Sequence, residues 1–179
     1  RIVVQIVYYF FSYFKVTKEN GKINFSVPTG NFGDIYAGYV AKKMGLPINK
    51  LIIATNSNDI LKRVVNTGIY KPSKVYHTVS PSMDIQIASN FERLIFNVCS
   101  CNSEKTIKLM KDLHERGEFS IENDELKKIK EDFYSESLSE EETKSVIKDI
   151  YNKQKILIDP HTAVAIGVVN KIPLEGNNI

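Results

Sequence analysis

At 179 residues the chain is long enough to bury a sizeable core, and its 42% hydrophobic and 25% charged content excludes general disorder. Its 24 basic and 21 acidic residues are scattered and net only +3, which leaves no continuous basic face suited to nucleic acid. Cys99 and Cys101 are too close to close a useful loop and no secretory signal is recognisable, so a reducing, cytoplasmic setting is expected.

The chain opens on an apolar run, residues 2 to 14, broken only by Gln5 and Ser12. A membrane span needs roughly 20 such residues, so a buried helix is expected instead. A helix apolar all round wants cover on both faces, and further sequence ahead of Arg1 is expected to supply it. After a turn signal at Glu19-Asn20-Gly21, Lys22 to Val27 reads as a buried strand. Pro28-Thr29-Gly30 leads into a helix from about Asp34 to Met44, stopped by Gly45 and Pro47. The order then repeats. Lys50 to Ala54 is a β-branched strand, Thr55-Asn56-Ser57-Asn58 offers cap chemistry, and Ile60, Leu61, Val64 and Val65 mark a helix ending near Gly68. Strand and helix in alternation predict an α/β fold with a parallel sheet and flanking helices.

Residues 69 to 88 are irregular, and Asn90 to Val98 reads as a helix with Phe91, Leu94 and Ile95 inward. From residue 103 to 153 Lys and Glu dominate. Helical spacing persists there at Ile107, Met110 and Leu113, at Leu126, Ile129 and Phe133, and at Val146, Ile147 and Ile150; Ser139 to Glu142 is a capping box. This stretch is expected to be a charged, mainly helical insertion, leaving residues 1–102 and 154–179 as the α/β domain. Lys155 to Ile158 reads as a short strand, Asp159 to Thr162 as a turn, and Ala163 to Asn170 as a helix of small residues.

The chemistry points to Gly30-Asn31-Phe32-Gly33-Asp34, between a buried strand and a helix. Glycines permit positive φ and close backbone approach, so successive N–H groups can converge on an anion, and the helix adds unpaired donors and the positive end of its dipole. Thr29 is a candidate hydroxyl donor, Asn31 a donor or a brace, and Asp34 a helix cap or a bond to a loop N–H. A plain strand-to-helix turn is the competing reading, since neither the dinucleotide nor the Walker A glycine pattern is present. His161, Ser82, Asn56 and Asn58 share that end of the sheet with open roles, although a capped structural histidine is the simpler reading of His161. Cys99 and Cys101 fall short of a metal site, and His77 and His114 stand in no cluster of ligand residues.

The strings VPTGNFGDIYAGYVAKKMGLP, LIIATNSNDIL, TVSPSMDIQIASNFERLIF and IDPHTAV, with the opening RIVVQIVYYFFSYF, resemble the threonine synthase family over nearly the whole chain. The likeness weakens from Cys101 to Lys153. It implies a fold type II enzyme that uses pyridoxal 5'-phosphate to convert O-phospho-L-homoserine and water to L-threonine and phosphate. It also implies that Gly30, Asn31, Phe32, Gly33 and Asp34 hold the cofactor phosphate. The family's Schiff-base lysine stands in a Ser-Phe-Lys-Asp context that these residues lack, so no catalytic residue is assigned, and the remaining half of the same enzyme is the implied partner. A phospholyase that releases an α-keto acid, or a non-catalytic phosphate-ligand-binding module, are the competing functions.

Overall fold

The structure is a computed structural model that describes residues 1–17, 21–174 and 176–179. The proposed turn at Glu19-Asn20 lies outside those residues. Helix α1 (Ile2–Val16) precedes strand β1 (Ile23–Pro28), helix α2 (Gly33–Lys43), strand β2 (Ile48–Thr55) and helix α3 (Ile60–Thr67). Then follow β3 (Ile69–Tyr70), a 3-10 turn at Pro81–Met83, α4 (Phe91–Val98), α5 (Ser103–Arg116), β4 (Phe119–Ser120), α6 (Asn123–Asp132), β5 (Phe133–Ser137), α7 (Glu140–Gln154), α8 (Pro160–Lys171) and β6 (Asn177–Asn178).

Four strands form a parallel sheet in the order β5-β2-β1-β6, and β3 and β4 form a small antiparallel pair. The central strand β2 shows why its sequence is apolar without alternation. Leu51 and Ile53 face a core with Ile35, Ala37, Val64, Leu94 and Phe133, while Ile52 and Ala54 face a second core built by Val164 and Val168 of α8 and by Leu138. A parallel strand covered on both faces needs apolar residues on both.

Two expectations need correction. The first is the helical reading of Phe133 within the charged stretch from 103 to 153. Phe133 satisfies helical spacing after Leu126 and Ile129, yet α6 ends at Asp132 and Phe133–Ser137 becomes the outer strand, with Leu51 paired to Phe133 and Thr55 to Ser137. Tertiary pairing along β2 overrides the local period here. The second is the strand at Lys155 to Ile158. Lys155 is the left-handed C-cap of α7, and Ile156 and Leu157 are exposed. Helix α1, expected to be covered on both faces with further sequence ahead of Arg1 supplying part of the cover, packs one face on this chain. Only its Tyr9 and Tyr13 are buried, against α2 and β1, whereas Val3, Val7, Phe11 and Phe14 stand exposed on the outer face.

The capping box at Ser139 is present in full, Ser139 Oγ accepting from Glu142 N and a Glu142 carboxylate oxygen from Ser139 N. The expected turn at Asp159 to Thr162 is instead the cap and first turn of α8, because Asp159 accepts from the backbone N–H groups of His161 and Thr162 and Pro160 suits the first helical position. No helix among the described residues is long and apolar enough to cross a membrane.

Candidate functional site

The loop Gly30 to Asp34 lies where β1 gives way to α2, at the carboxyl end of the sheet, the edge at which open α/β folds bind ligands. Its entry is pinned by Thr29, whose N–H donates to Ala54 O at 2.8 Å and whose hydroxyl donates to Val27 O at 2.6 Å. That hydroxyl is therefore committed to the strand end and is no ready donor for an anion.

The one left-handed residue in the loop is Phe32, with φ 69° and ψ 5°, and it serves as the N-cap of α2. Both glycines have ordinary φ, so the expected need for positive φ falls on Phe32 instead. The strain of a left-handed aromatic residue is of order 1–3 kcal/mol and persists only where packing fixes it. Here the ring is buried between Phe91 and Phe133, with centroids 5.2 and 5.7 Å away. The glycines answer to space. A Cβ on Gly30 would sit 2.7 Å from the Ser82 carbonyl oxygen, and one on Gly33 would sit 3.1 Å from Asn31 Oδ1 and 3.3 Å from Asn90 Nδ2.

Asn31 braces the turn, its Oδ1 accepting from Gly33 N at 2.9 Å and its carbonyl accepting from Asn90 N at 3.0 Å and Asn90 Nδ2 at 3.2 Å. The backbone N–H groups of Asn31 and Phe32 have no partner among the described residues. Those of Asp34 and Ile35 lie in the first turn of an α-helix, where intrahelical partners do not exist. The loop thus offers several free donors and the positive end of an 11-residue helix at one place.

Asp34 departs from expectation, because it makes no cap hydrogen bond. It is half-buried and lines a cavity of about 170 Å³ with Tyr8, Tyr9, Phe25 and Val27, between α1 and β1. Burial raises its carboxyl above the ordinary range, partly offset by the Tyr9 hydroxyl, which also donates to the Asp34 carbonyl at 3.0 Å.

Asn56 and Asn58 do not cap α3, whose N-cap Asp59 makes no side-chain cap bond. They are buried and hold the segment from Tyr76 to Asp84 against the end of β2. Asn56 Nδ2 donates to Thr78 Oγ1 at 2.8 Å and Asp84 Oδ1 at 2.8 Å; Asn58 Nδ2 donates to Tyr76 O at 2.8 Å and Asp84 Oδ1 at 3.1 Å. Asp84 closes the network by accepting from Thr78 N at 2.9 Å and Thr78 Oγ1 at 2.7 Å. The segment so fixed carries the Ser82 carbonyl that packs on Gly30. Sequence reasoning named these residues separately and missed that Asp84 joins them; the Asx and hydroxyl residues within Asn56 to Asn58 and Thr78 to Asp84 were the available signal. Cys99 is buried and Cys101 exposed, both as free thiols, while His77 and His114 are exposed.

No family model matches the chain. Among curated relatives it is 44% identical over 194 residues to threonine synthase of Saccharomyces cerevisiae and 42% identical over 166 residues to that of Pseudomonas aeruginosa, covering 99% and 93% of the chain. It spans 38% and 35% of those relatives' lengths. A solved structure of threonine synthase from Brucella melitensis with pyridoxal phosphate bound superposes with a TM-score of 0.94 at 44% identity, over 98% of this chain and 38% of that one. Serine racemase of Dictyostelium discoideum, at 15% identity and a TM-score of 0.51, shares the fold alone. With identity above 40% along almost its whole length, and with the same backbone, the chain belongs to the threonine synthase family.

Proposed function

We propose that these residues form the cofactor-phosphate side of a threonine synthase active site, in a cytoplasmic enzyme that converts O-phospho-L-homoserine and water to L-threonine and phosphate with pyridoxal 5'-phosphate. The observation that carries this reading is the Gly30 to Asp34 loop, with free N–H groups at a helix start and two glycines where a Cβ would press on the Ser82 carbonyl or on the Asn31 and Asn90 side chains. The residues fit the group. A phosphate dianion suits converging backbone donors and a helix dipole, and the Asp34 carboxyl lines the cavity beneath α1. Gly30, Asn31, Phe32 and Gly33, with the first turn of α2, would hold the phosphate; Asp34 belongs to the same turn through its backbone N–H.

When bound, the cofactor supplies an electron sink for chemistry at the carbons next to the substrate amine. What this chain contributes is position. Phe32 locks the loop to the core, Asn90 braces it from α4, and the Asn56-Asn58-Asp84 network fixes the neighbouring turn, so the donors are preorganised before the ligand arrives.

The test is product analysis on the full-length protein given O-phospho-L-homoserine. Threonine and phosphate in equal amounts support the reading. A keto acid in place of threonine assigns the phospholyase reaction instead, and cofactor binding without turnover assigns a binding module.

A further inference from the structure

A carboxyl at position 34 is an awkward neighbour for a phosphate cradle. Asp34 is the second residue of α2, in the turn whose free N–H groups would hold the anion. An aspartate there ordinarily folds back on its own or a neighbouring N–H, where the helix dipole favours it. In that place it would occupy a donor meant for phosphate and repel the dianion as well.

The carboxyl is instead drawn away. It makes no cap hydrogen bond and lines the cavity between α1 and β1. Burial there opposes the carboxylate and raises its pKa, and no basic side chain among the described residues lines the cavity to offset that cost. The Tyr9 hydroxyl offsets it. It donates to the Asp34 carbonyl at 3.0 Å and, bonded to the carboxyl, pulls the pKa back down. Burial and the Asp34 charge hold that hydroxyl well above the ordinary tyrosine range, so it stays a proton donor at any physiological pH.

The ring that carries the hydroxyl is fixed in place. Tyr9 is buried, edge-on to Phe25 with centroids 4.9 Å apart. It also fills the space over Gly38, one turn after Asp34, where a Cβ would meet Tyr9 Cε1 at 2.5 Å and Cζ at 2.7 Å. Helix α1 therefore bears on the first turn of α2 through one side chain, 25 residues before Asp34 in sequence.

We propose that Tyr9 is a positioning residue for the cofactor phosphate: its hydroxyl keeps the Asp34 carboxyl in the cavity beneath α1 and leaves the N–H groups of the Gly30 to Asp34 loop to the anion. The identity of that anion rests on the threonine synthase reading. Tyr9 acts only through Asp34, and no bond is made or broken.

The experiment titrates the full-length apo protein with pyridoxal 5'-phosphate by calorimetry, with urea denaturation of each variant beside it. Tyr9→Phe keeps the ring over Gly38 and against Phe25 and removes only the hydroxyl. The released carboxyl should turn to the first-turn donors and weaken cofactor binding roughly tenfold or more, the loss expected for one hydrogen bond to a charged group. Asp34→Asn carries no charge to release and should bind the cofactor at least as tightly as wild type. The double variant Tyr9→Phe/Asp34→Asn should recover to within about threefold of Asp34→Asn alone, the coupling expected when one residue acts through the other. A hydroxyl that merely braced the backbone of α2 would cost affinity in both backgrounds, so failure of this rescue overturns the proposal. So does Tyr9→Phe binding as wild type does. Should Tyr9→Phe fold poorly, Asp34→Asn decides the point, since binding about tenfold weaker than wild type would make the carboxyl a contributor and not a competitor. Wild type that takes up no pyridoxal phosphate refutes the cofactor reading and the proposal together, whereas the other failures leave the cofactor reading standing.

Discussion

Replacing Gly33 with alanine separates a cofactor cradle from a mere turn. Its φ is ordinary and it opens α2, so alanine brings no backbone strain, and helix propensity alone favours it by up to about 1 kcal/mol. The added Cβ meets only side-chain atoms, Asn31 Oδ1 at 3.1 Å and Asn90 Nδ2 at 3.3 Å, which can give way. If Asn31 shifts, its bond to Gly33 N is lost at a cost of about 0.5–1.5 kcal/mol, which roughly cancels the propensity gain. The fold should thus hold to within about 1 kcal/mol. Cofactor binding should not, because pushing Asn31 Oδ1 off Gly33 N disturbs the turn that aims the loop donors, and each lost charge-assisted bond costs about 1.5–3 kcal/mol. One such loss weakens binding roughly tenfold to a hundredfold. The assay is titration of the full-length apo protein with pyridoxal phosphate, beside urea denaturation of the same apo protein. Unchanged affinity together with a large loss of stability would refute the reasoning and leave the loop a structural turn.

Phe32→Ala should cost about 3–5 kcal/mol in urea denaturation, since it empties the space between Phe91 and Phe133 as well as freeing the left-handed cap. Ser139→Ala removes the capping box of α7 and should cost about 0.5–2 kcal/mol, with cofactor affinity unchanged, because the hydrogen bonds that hold the Gly30 to Asp34 loop among the described residues involve no residue of α7. Asp84→Ala leaves the buried amides of Asn56 and Asn58 without their shared acceptor, at about 1–3 kcal/mol, and should raise hydrogen exchange from Tyr76 to Asp84. The Asp159 carboxyl is held below its unfolded value, so whatever stability it adds is present above about pH 4 and lost as pH falls through about 2. With more than half of that side chain exposed the effect is small; denaturation midpoints of wild type and Asp159→Asn should agree closely at pH 7, asparagine being a comparable cap.

The strand-loop-helix units were legible because their signals are local and agree. Val27 to Asp34 changes period at a glycine loop, and the same change recurs from Ile53 to Ile60. Strand β5 was not, since Phe-Tyr-Ser-Glu-Ser carries little apolar alternation and its first residue fits the preceding helical spacing; its pairing with β2 is a tertiary fact. Conversely Ile156-Leu157-Ile158 looks like a strand by composition and finds no partner in the sheet. At the site, the sequence showed which residues make the loop but assigned the positive φ to glycine. The structure assigns it to Phe32, because aromatic packing from α4 and β5 supplies what conformational freedom otherwise would. The hydrogen bond between Ser82 Oγ and His161 Nε2 was legible only in part: both residues were expected at that end of the sheet, but the contact forms only where α8 and the Pro81–Met83 turn meet.

The central claim is that the Gly30 to Asp34 loop holds the cofactor phosphate. A crystal structure of the full-length protein with pyridoxal phosphate bound tests it most directly. The account predicts phosphate oxygens about 2.7–3.2 Å from the backbone nitrogens of this loop and of the first turn of α2. A phosphate held elsewhere, with the N–H groups of Asn31 and Phe32 turned to water, would contradict it.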